Sequence, residues 1–156
     1  MKRLTKLILI VFTIALGYSL DAANISSKSS GGDWTDKNTW IGGVVPGSAD
    51  NVTINGTVAV YNTSCNHITI NSGATLTNRD GYSTTLDVNG DFTNYGSVVN
   101  TNASLYLNLY ADLYNAGTYY PYSTVFESGS KHEISQANGK YFEGRYHTED
   151  TVASIV

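Results

Sequence analysis

Charge is scarce in this chain: Asp, Glu, Lys and Arg together make up 14% of its 156 residues. That supply is too thin for exposed helices rich in Lys, Glu and Ala. What charge there is leans acidic, with a formal net charge of -4, which argues against nucleic acid or an anionic membrane as partner. Cysteine occurs once, at Cys65, so no intrachain disulfide can form and stability must come from the core and the backbone ladders. Cys65 itself reads as a buried residue, with a reactive thiol or an intermolecular bridge as the other options. No Lys or Arg falls between Asp80 and Ser130, which removes the base a polysaccharide lyase would need there. The three histidines, His67, His132 and His147, show no ligand spacing, and no metal or cofactor is expected.

Only one stretch is strongly apolar. Lys2, Arg3 and Lys6 precede a run from Leu7 to Leu16 broken by Thr13, and Gly17, Ser19, Ala22 and Ala23 follow. A basic start, a short apolar core and small residues describe a secretory signal over residues 1–23, with a retained membrane anchor as the alternative. The run is shorter than the ~20 residues a spanning helix needs, so membrane insertion after cleavage is not expected. The predicted location is extracellular, secreted or at the cell surface. Five Asn-X-Ser/Thr triplets, at Asn24, Asn51, Asn55, Asn62 and Asn102, are what a chain rich in Asn and Thr produces by chance.

What is present in quantity suits strands and turns: 15 Gly, 12 Tyr and many Asn, Thr and Ser. Two segments nearly repeat. Leu86–Gly96 returns as Leu107–Gly117, with Leu, Asp, Asn and Gly at equivalent places. A period near 20 with alternating apolar residues marks a chain that coils, each turn stacked on the last. Val52/Ile54, Val58/Val60, Ile68/Ile70, Leu86/Val88 and the series Leu105 to Leu113 all alternate with polar residues, so one face packs inward. Val52, Ile68, Leu86 and Leu107 align as equivalents, each step longer than the one before, and coils of growing length imply a cross-section that widens. The fold class is therefore all-β, a right-handed parallel β-helix (β-solenoid) of about four to five coils. Asn78, Asn94 and Asn115 each follow a strand and are expected to stack as an amide ladder in left-handed turns.

The predicted organisation is a signal over 1–23, a leader and cap over 24–50, coils over 51–142 and a tail over 143–156. Residues 24–32 read as a flexible leader. Trp34 and Trp40 come just before the first coil, where a solenoid needs its open apolar end covered. Thr35 or Asp36 is placed to cap a single helical turn ending at Thr39. The competing reading makes the two indoles a sugar-stacking site.

The string Trp34-x5-Trp40-x-Gly-Gly-x-x-Pro46-x3-Asp50-x-Val52-x-Ile54, followed by Ile68–Leu76, resembles the N-terminal module of secreted right-handed β-helix surface proteins of Bacteroidetes-like bacteria. The opening is also similar to the extracellular domain named for its eight glycines. The resemblance covers roughly residues 30–142 and brings no catalytic motif. It implies a parallel solenoid, a place at the cell surface and contact with polysaccharide or other surface material. Family members are usually longer, so the chain reads as a truncated relative or as one whose tail caps the last coil.

Candidate functional residues are few. Tyr106, Tyr110 and Tyr114 alternate with leucines and are expected to form one outward stripe, with Tyr119, Tyr120 and Tyr122 following. A tyrosine offers a flat apolar face with a polar rim, suited to sugar rings or a protein surface; strand propensity and cover by the tail are the plain alternative. Asp91 and Asp112 are placed to stack one coil apart as turn acids, not as catalysts. Thr53 and Thr69 line up outward, but Asp87 and Asn108 should interrupt that row, too short for an ice-binding face. No catalytic residue is assigned. The favoured function is a non-catalytic adhesin-like or carbohydrate-binding module. The alternatives are a self-associating structural element of a larger surface protein and a fragment of a polysaccharide-degrading enzyme.

Overall fold

The structure, a computed structural model, describes residues 22–127, 129, 131–148 and 154–155. The expected signal segment falls almost wholly outside them, as does part of the tail. Among the described residues no helix is long and apolar enough to cross a membrane.

Short strands wind into three parallel sheets. The first sheet stacks β1 (Asn24–Ser26), β3 (Asn51–Ile54), β6 (Ile68–Ile70), β9 (Phe92–Asn94), β12 (Leu113–Asn115), β15 (Glu133–Gln136) and β17 (Ser154–Ile155). The second stacks β2 (Gly32–Asp33), β4 (Thr57–Val60), β7 (Thr75–Asn78), β10 (Ser97–Val99) and β13 (Thr118–Tyr120). The third stacks β5 (Thr63–Cys65), β8 (Thr84–Val88), β11 (Leu105–Leu109), β14 (Ser123–Phe126) and β16 (Arg145–Thr148). The inner coils visit the three sheets in turn, and the result is a three-sided β-solenoid of about four turns.

Side chains alternate as strand geometry requires. Val52, Ile54, Val58, Val60, Ile68, Ile70, Leu76, Leu86, Val88, Phe92, Val98 and Leu105 to Leu109 at every second place point into one continuous core. The register differs from the sequence alignment. Ile68 lies beside Phe92, not Leu86, and the column continues through Leu113 to Ile134. Leu86 and Leu107 do pair, but on the third sheet. From Val52 onward the steps along the first sheet are thus 16, 24, 21 and 21 residues. On this sheet the coils lengthen once, shorten slightly and then hold constant. The repeat between Leu86–Gly96 and Leu107–Gly117 is real. The step from Ile68 to Leu86 joined strands of different sheets, because all inward strands look alike in sequence.

The amide ladder is also rearranged. Asn94 and Asn115 are fully buried, and Asn94 Nδ2 donates to Asn115 Oδ1 at 2.8 Å. Each Oδ1 accepts the N–H of the glycine two residues on, Gly96 at 3.0 Å and Gly117 at 3.1 Å. The glycines are needed for close approach: a Cβ on Gly117 would overlap the Gly96 carbonyl, and one on Gly96 the Ala74 carbonyl. Asn78 is not part of this ladder. It ends β7 on the second sheet, and its equivalent on the first sheet is filled by Ile70, which pairs with Asn94. None of the three is left-handed; among the described residues only Asn62, at φ 40°, takes that conformation without being glycine. Other amide pairs, Asn24–Asn51, Asn51–Asn66 and Asn55–Asn71, run along the first sheet's rims.

Both ends of the core carry aromatic rings. Trp34 and Trp40 are 1% and 0% exposed, their rings 5.0 Å apart and edge to face, with Trp40 Nε1 donating to the Trp34 carbonyl at 2.7 Å. Rings so enclosed cannot stack on a sugar, so the binding-site reading of the two indoles falls and the cap stands. Asp36 caps the 3₁₀ turn Lys37–Thr39, its carboxylate accepting the Asn38 N–H at 2.8 Å. Residues 24–32 are no loose leader: β1 and β2 pair with β3 and β4. At the far end Phe92, Tyr119, Phe142 and Tyr146 follow one another edge to face, and β16 continues the third sheet where a tail was expected. Buried His132 closes the same end, its ring nitrogens 2.7 and 2.9 Å from the Ala111 and Glu127 carbonyl oxygens.

Candidate functional site

The three tyrosines expected on one stripe are divided among different parts of the surface. Tyr106 stands on the third sheet, second in β11. Tyr114 stands on the first sheet, in β12, where its ring meets Tyr95 at 5.8 Å. Tyr110 lies between them, after β11, and is 39% exposed. Its phenol titrates above the ordinary range, first through partial desolvation and then through the Glu127 and Asp87 carboxylates. A corner separates the ends of the supposed stripe, because Ala111 and Asp112 turn the chain between sheets. Tyr119, expected to face outward with its neighbours, points into the core, and its hydroxyl shares a 2.9 Å hydrogen bond with Thr124.

Tyr106 instead joins a group that local pattern did not reveal. Its ring packs edge to face on Tyr122 at 5.2 Å, and the Arg145 guanidinium lies over the Tyr122 ring at 5.0 Å. A second group of the same make stands nearer the N-terminal end. Tyr61 and Tyr82 meet at 5.4 Å, and the Arg79 guanidinium lies 5.7 Å from both rings. Arg79 also reaches the Asp33 carboxylate at 3.6 Å, and both are partly exposed, so this pair is worth little in stability. A guanidinium over a ring costs little desolvation and holds the ring in place.

The two groups share one edge of the prism. Tyr61, the Arg79–Ser83 loop and Tyr122 all occupy the gap between a second-sheet strand and the following third-sheet strand. Arg145 opens β16, where it pairs with Ser123 of β14 just after Tyr122, and Tyr106 stands one place into β11. Asn78 supports this edge from within: its Nδ2 donates to the Arg79 and Tyr82 carbonyls, and its Oδ1 accepts the Thr101 N–H at 2.8 Å. Its structural role is therefore to hold the aromatic edge. The signal that would have revealed the edge was the register: with Ile68 matched to Phe92, Tyr61, Arg79, Tyr82 and Tyr122 fall in equivalent gaps, and Tyr106 and Arg145 fall at the start of third-sheet strands.

Beside that edge, on the second sheet, runs an open groove of about 380 Å³ with Tyr120, Lys140, Tyr141 and Glu143 in its walls. Tyr120 and Tyr141 are 51% and 72% exposed.

The acids are engaged in turns. Asp91 and Asp112 occupy equivalent places before β9 and β12, so they do stack one coil apart. The Asp112 carboxylate accepts the Glu133 N–H at 2.7 Å. His67 Nδ1 accepts the Asp91 N–H at 2.8 Å; the same nitrogen lies 3.5 Å from the Asp91 carboxylate. A ring nitrogen acting as acceptor carries no proton, so this approach is not an ion pair. Asp87 accepts from Asn108 Nδ2 at 2.8 Å. The outward row on the first sheet runs Thr53, Thr69 and Thr93 before Tyr114 ends it, whereas Asp87 and Asn108 belong to the third sheet. Among the described residues no three His, Cys, Asp or Glu side chains converge as metal ligands would.

No family model, curated protein or solved structure matches this chain.

Proposed function

We propose that this chain is a secreted, non-catalytic module of adhesin type that contacts polysaccharide through its outer tyrosines. The observation that carries the reading is the disposition of those rings. Among the described residues eight tyrosines are exposed, on the outside of coils whose inward columns are mainly aliphatic. Tyrosine supplies contact area at low cost in side-chain entropy, and arginine adds hydrogen-bond donors. The basic and apolar N-terminal run and the resemblance of the Trp34–Ile54 string to surface β-helix modules support export and a surface location.

Retention of residues 24–156 on a panel of immobilised polysaccharides tests this. Selective retention by a monomer is expected, reduced about tenfold when Tyr106→Ala and Tyr122→Ala are combined, the effect of losing one good stacking contact. Failure to bind any glycan overturns it.

The second reading is a building block that assembles with copies of itself. The observation favouring it is β5, the first strand of the third sheet, which has no neighbour on its outer side among the described residues. A bare strand edge invites strand addition. Mass that grows with concentration in light scattering supports that reading, and a strict monomer counts against it.

A further inference from the structure

Resting on the glycan-contact reading, we infer that the edge between the second and third sheets is a row of sugar subsites for a linear, uncharged polysaccharide lying along the solenoid axis. The register supplies one ring per coil: Tyr61 follows β4, Tyr82 precedes β8, Tyr106 lies in β11 and Tyr122 precedes β14. Adjacent coils rise by ~4.8 Å, a step comparable with the length of one pyranose in an extended chain. Four rings therefore match roughly four consecutive sugars.

The chemistry of the row suits a neutral ligand. The ring planes cross at 82° in the Tyr61–Tyr82 pair and at 66° in the Tyr106–Tyr122 pair. Each pair thus offers both a ring face, for the C–H side of a pyranose, and a phenolic rim, for its hydroxyls. Donors and acceptors alternate beside the rings. Arg79 and Arg145 donate, the Asp33 carboxylate lies against Arg79, and Asp80 accepts from Asn102 at 2.7 Å. Sugar hydroxyls both donate and accept, and a guanidinium beside a carboxylate meets both needs. A polyanion would face Asp33 and Asp80 along the same edge and a chain of net charge -4. The row is built on rigid elements: Asn78 fixes the Arg79–Ser83 loop from below, and Asn102 ties the next coil's loop to Asp80.

Isothermal titration with a length series of cello-oligosaccharides and xylo-oligosaccharides tests the row. Affinity should climb from two sugars to about four and then level off, following one sugar per ~4.8 Å coil. Combining Tyr61→Ala with Tyr82→Ala should lower affinity for the four-sugar ligand about tenfold and leave the two-sugar ligand little changed. Tyr82→Ala alone, at a side chain 53% exposed, should do part of this without risk to folding, and Tyr95→Ala, on the first sheet's side, should do nothing. Affinity that ignores length, or survives both edge variants, overturns the row while leaving glycan contact through another face intact. Preference for polygalacturonate with steep salt dependence overturns the neutral-ligand assignment. No binding to any glycan removes the row and the contact reading together.

Discussion

Cys65 shows how a single residue reports on the fold around it. Its thiol is fully buried at the end of β5, beside Val88. Burial pushes its pKa from an ordinary 9.0 up to about 12. Tyr119, enclosed in the core, is raised in the same way, with the hydrogen bond to Thr124 working in the opposite direction. For an acid held neutral by burial, the folded and unfolded chains bind the same protons below pH 9, so stability there is complete. Between the unfolded value and about 12 the unfolded thiol ionises and the folded one does not. Stability must fall with rising pH in that window, by about 1.4 kcal/mol per pH unit for each such group. Thermal unfolding followed by circular dichroism should therefore be level from pH 7 to 9 and decline above it. In the native protein at pH 8 a thiol reagent should leave Cys65 untouched and label it only after denaturation; labelling at the same rate in both states would mean that the core is open there.

At the scale of the element, the recurring unit is a strand that ends in asparagine and turns through a glycine two residues on. Asn115 serves three groups at once: the Gly117 N–H, the Asn94 amide and, through its own Nδ2, the Tyr141 carbonyl at 3.4 Å. Asn115→Leu keeps the branched outline of the side chain but removes these partners, and each buried group left unpaired costs about 1–3 kcal/mol, with the larger methyl groups adding to the loss. A fall in the urea midpoint with an unchanged slope would express that loss; a variant as stable as the parent would show that water replaces the amide. Much of this unit was legible in sequence. The alternation of Leu105 to Leu113, the return of Leu86–Gly96 as Leu107–Gly117 and the Trp34/Trp40 cap all follow from local pattern. Which strand lies beside which was not, because Leu86, Phe92 and Ile68 are equally apolar and only the corner lengths decide among them. The second coil spends Arg79–Ser83 where the first spends only Tyr61 and Asn62, and its other two corners and β8 are longer as well; these additions together displaced the alignment. The candidate site was hidden by the same error. A stripe drawn through Tyr106, Tyr110 and Tyr114 follows the chain around a corner, whereas the tyrosines that meet in space come from successive coils.

For the whole molecule the governing fact is that each coil is hydrogen-bonded to the coil before and the coil after, and every sheet grows along the same axis. A long-range core is thus assembled entirely from neighbour contacts, and stability is close to a sum over turns. On the first sheet the later coils repeat at a constant 21 residues, which makes the C-terminal part of the protein a spring with equal windings. Under tension along its axis such a spring yields winding by winding, not all at once. Each released turn exchanges ~4.8 Å of stacked rise for 21 residues of extended chain at ~3.3–3.6 Å apiece, a gain of roughly 65–70 Å. Single-molecule stretching should record force peaks at that interval, and one large rupture would mean that the turns are coupled more tightly than their ladders. A protein built this way can lengthen under load, absorb work and rewind, while its outer tyrosines keep their places on the turns that are still wound.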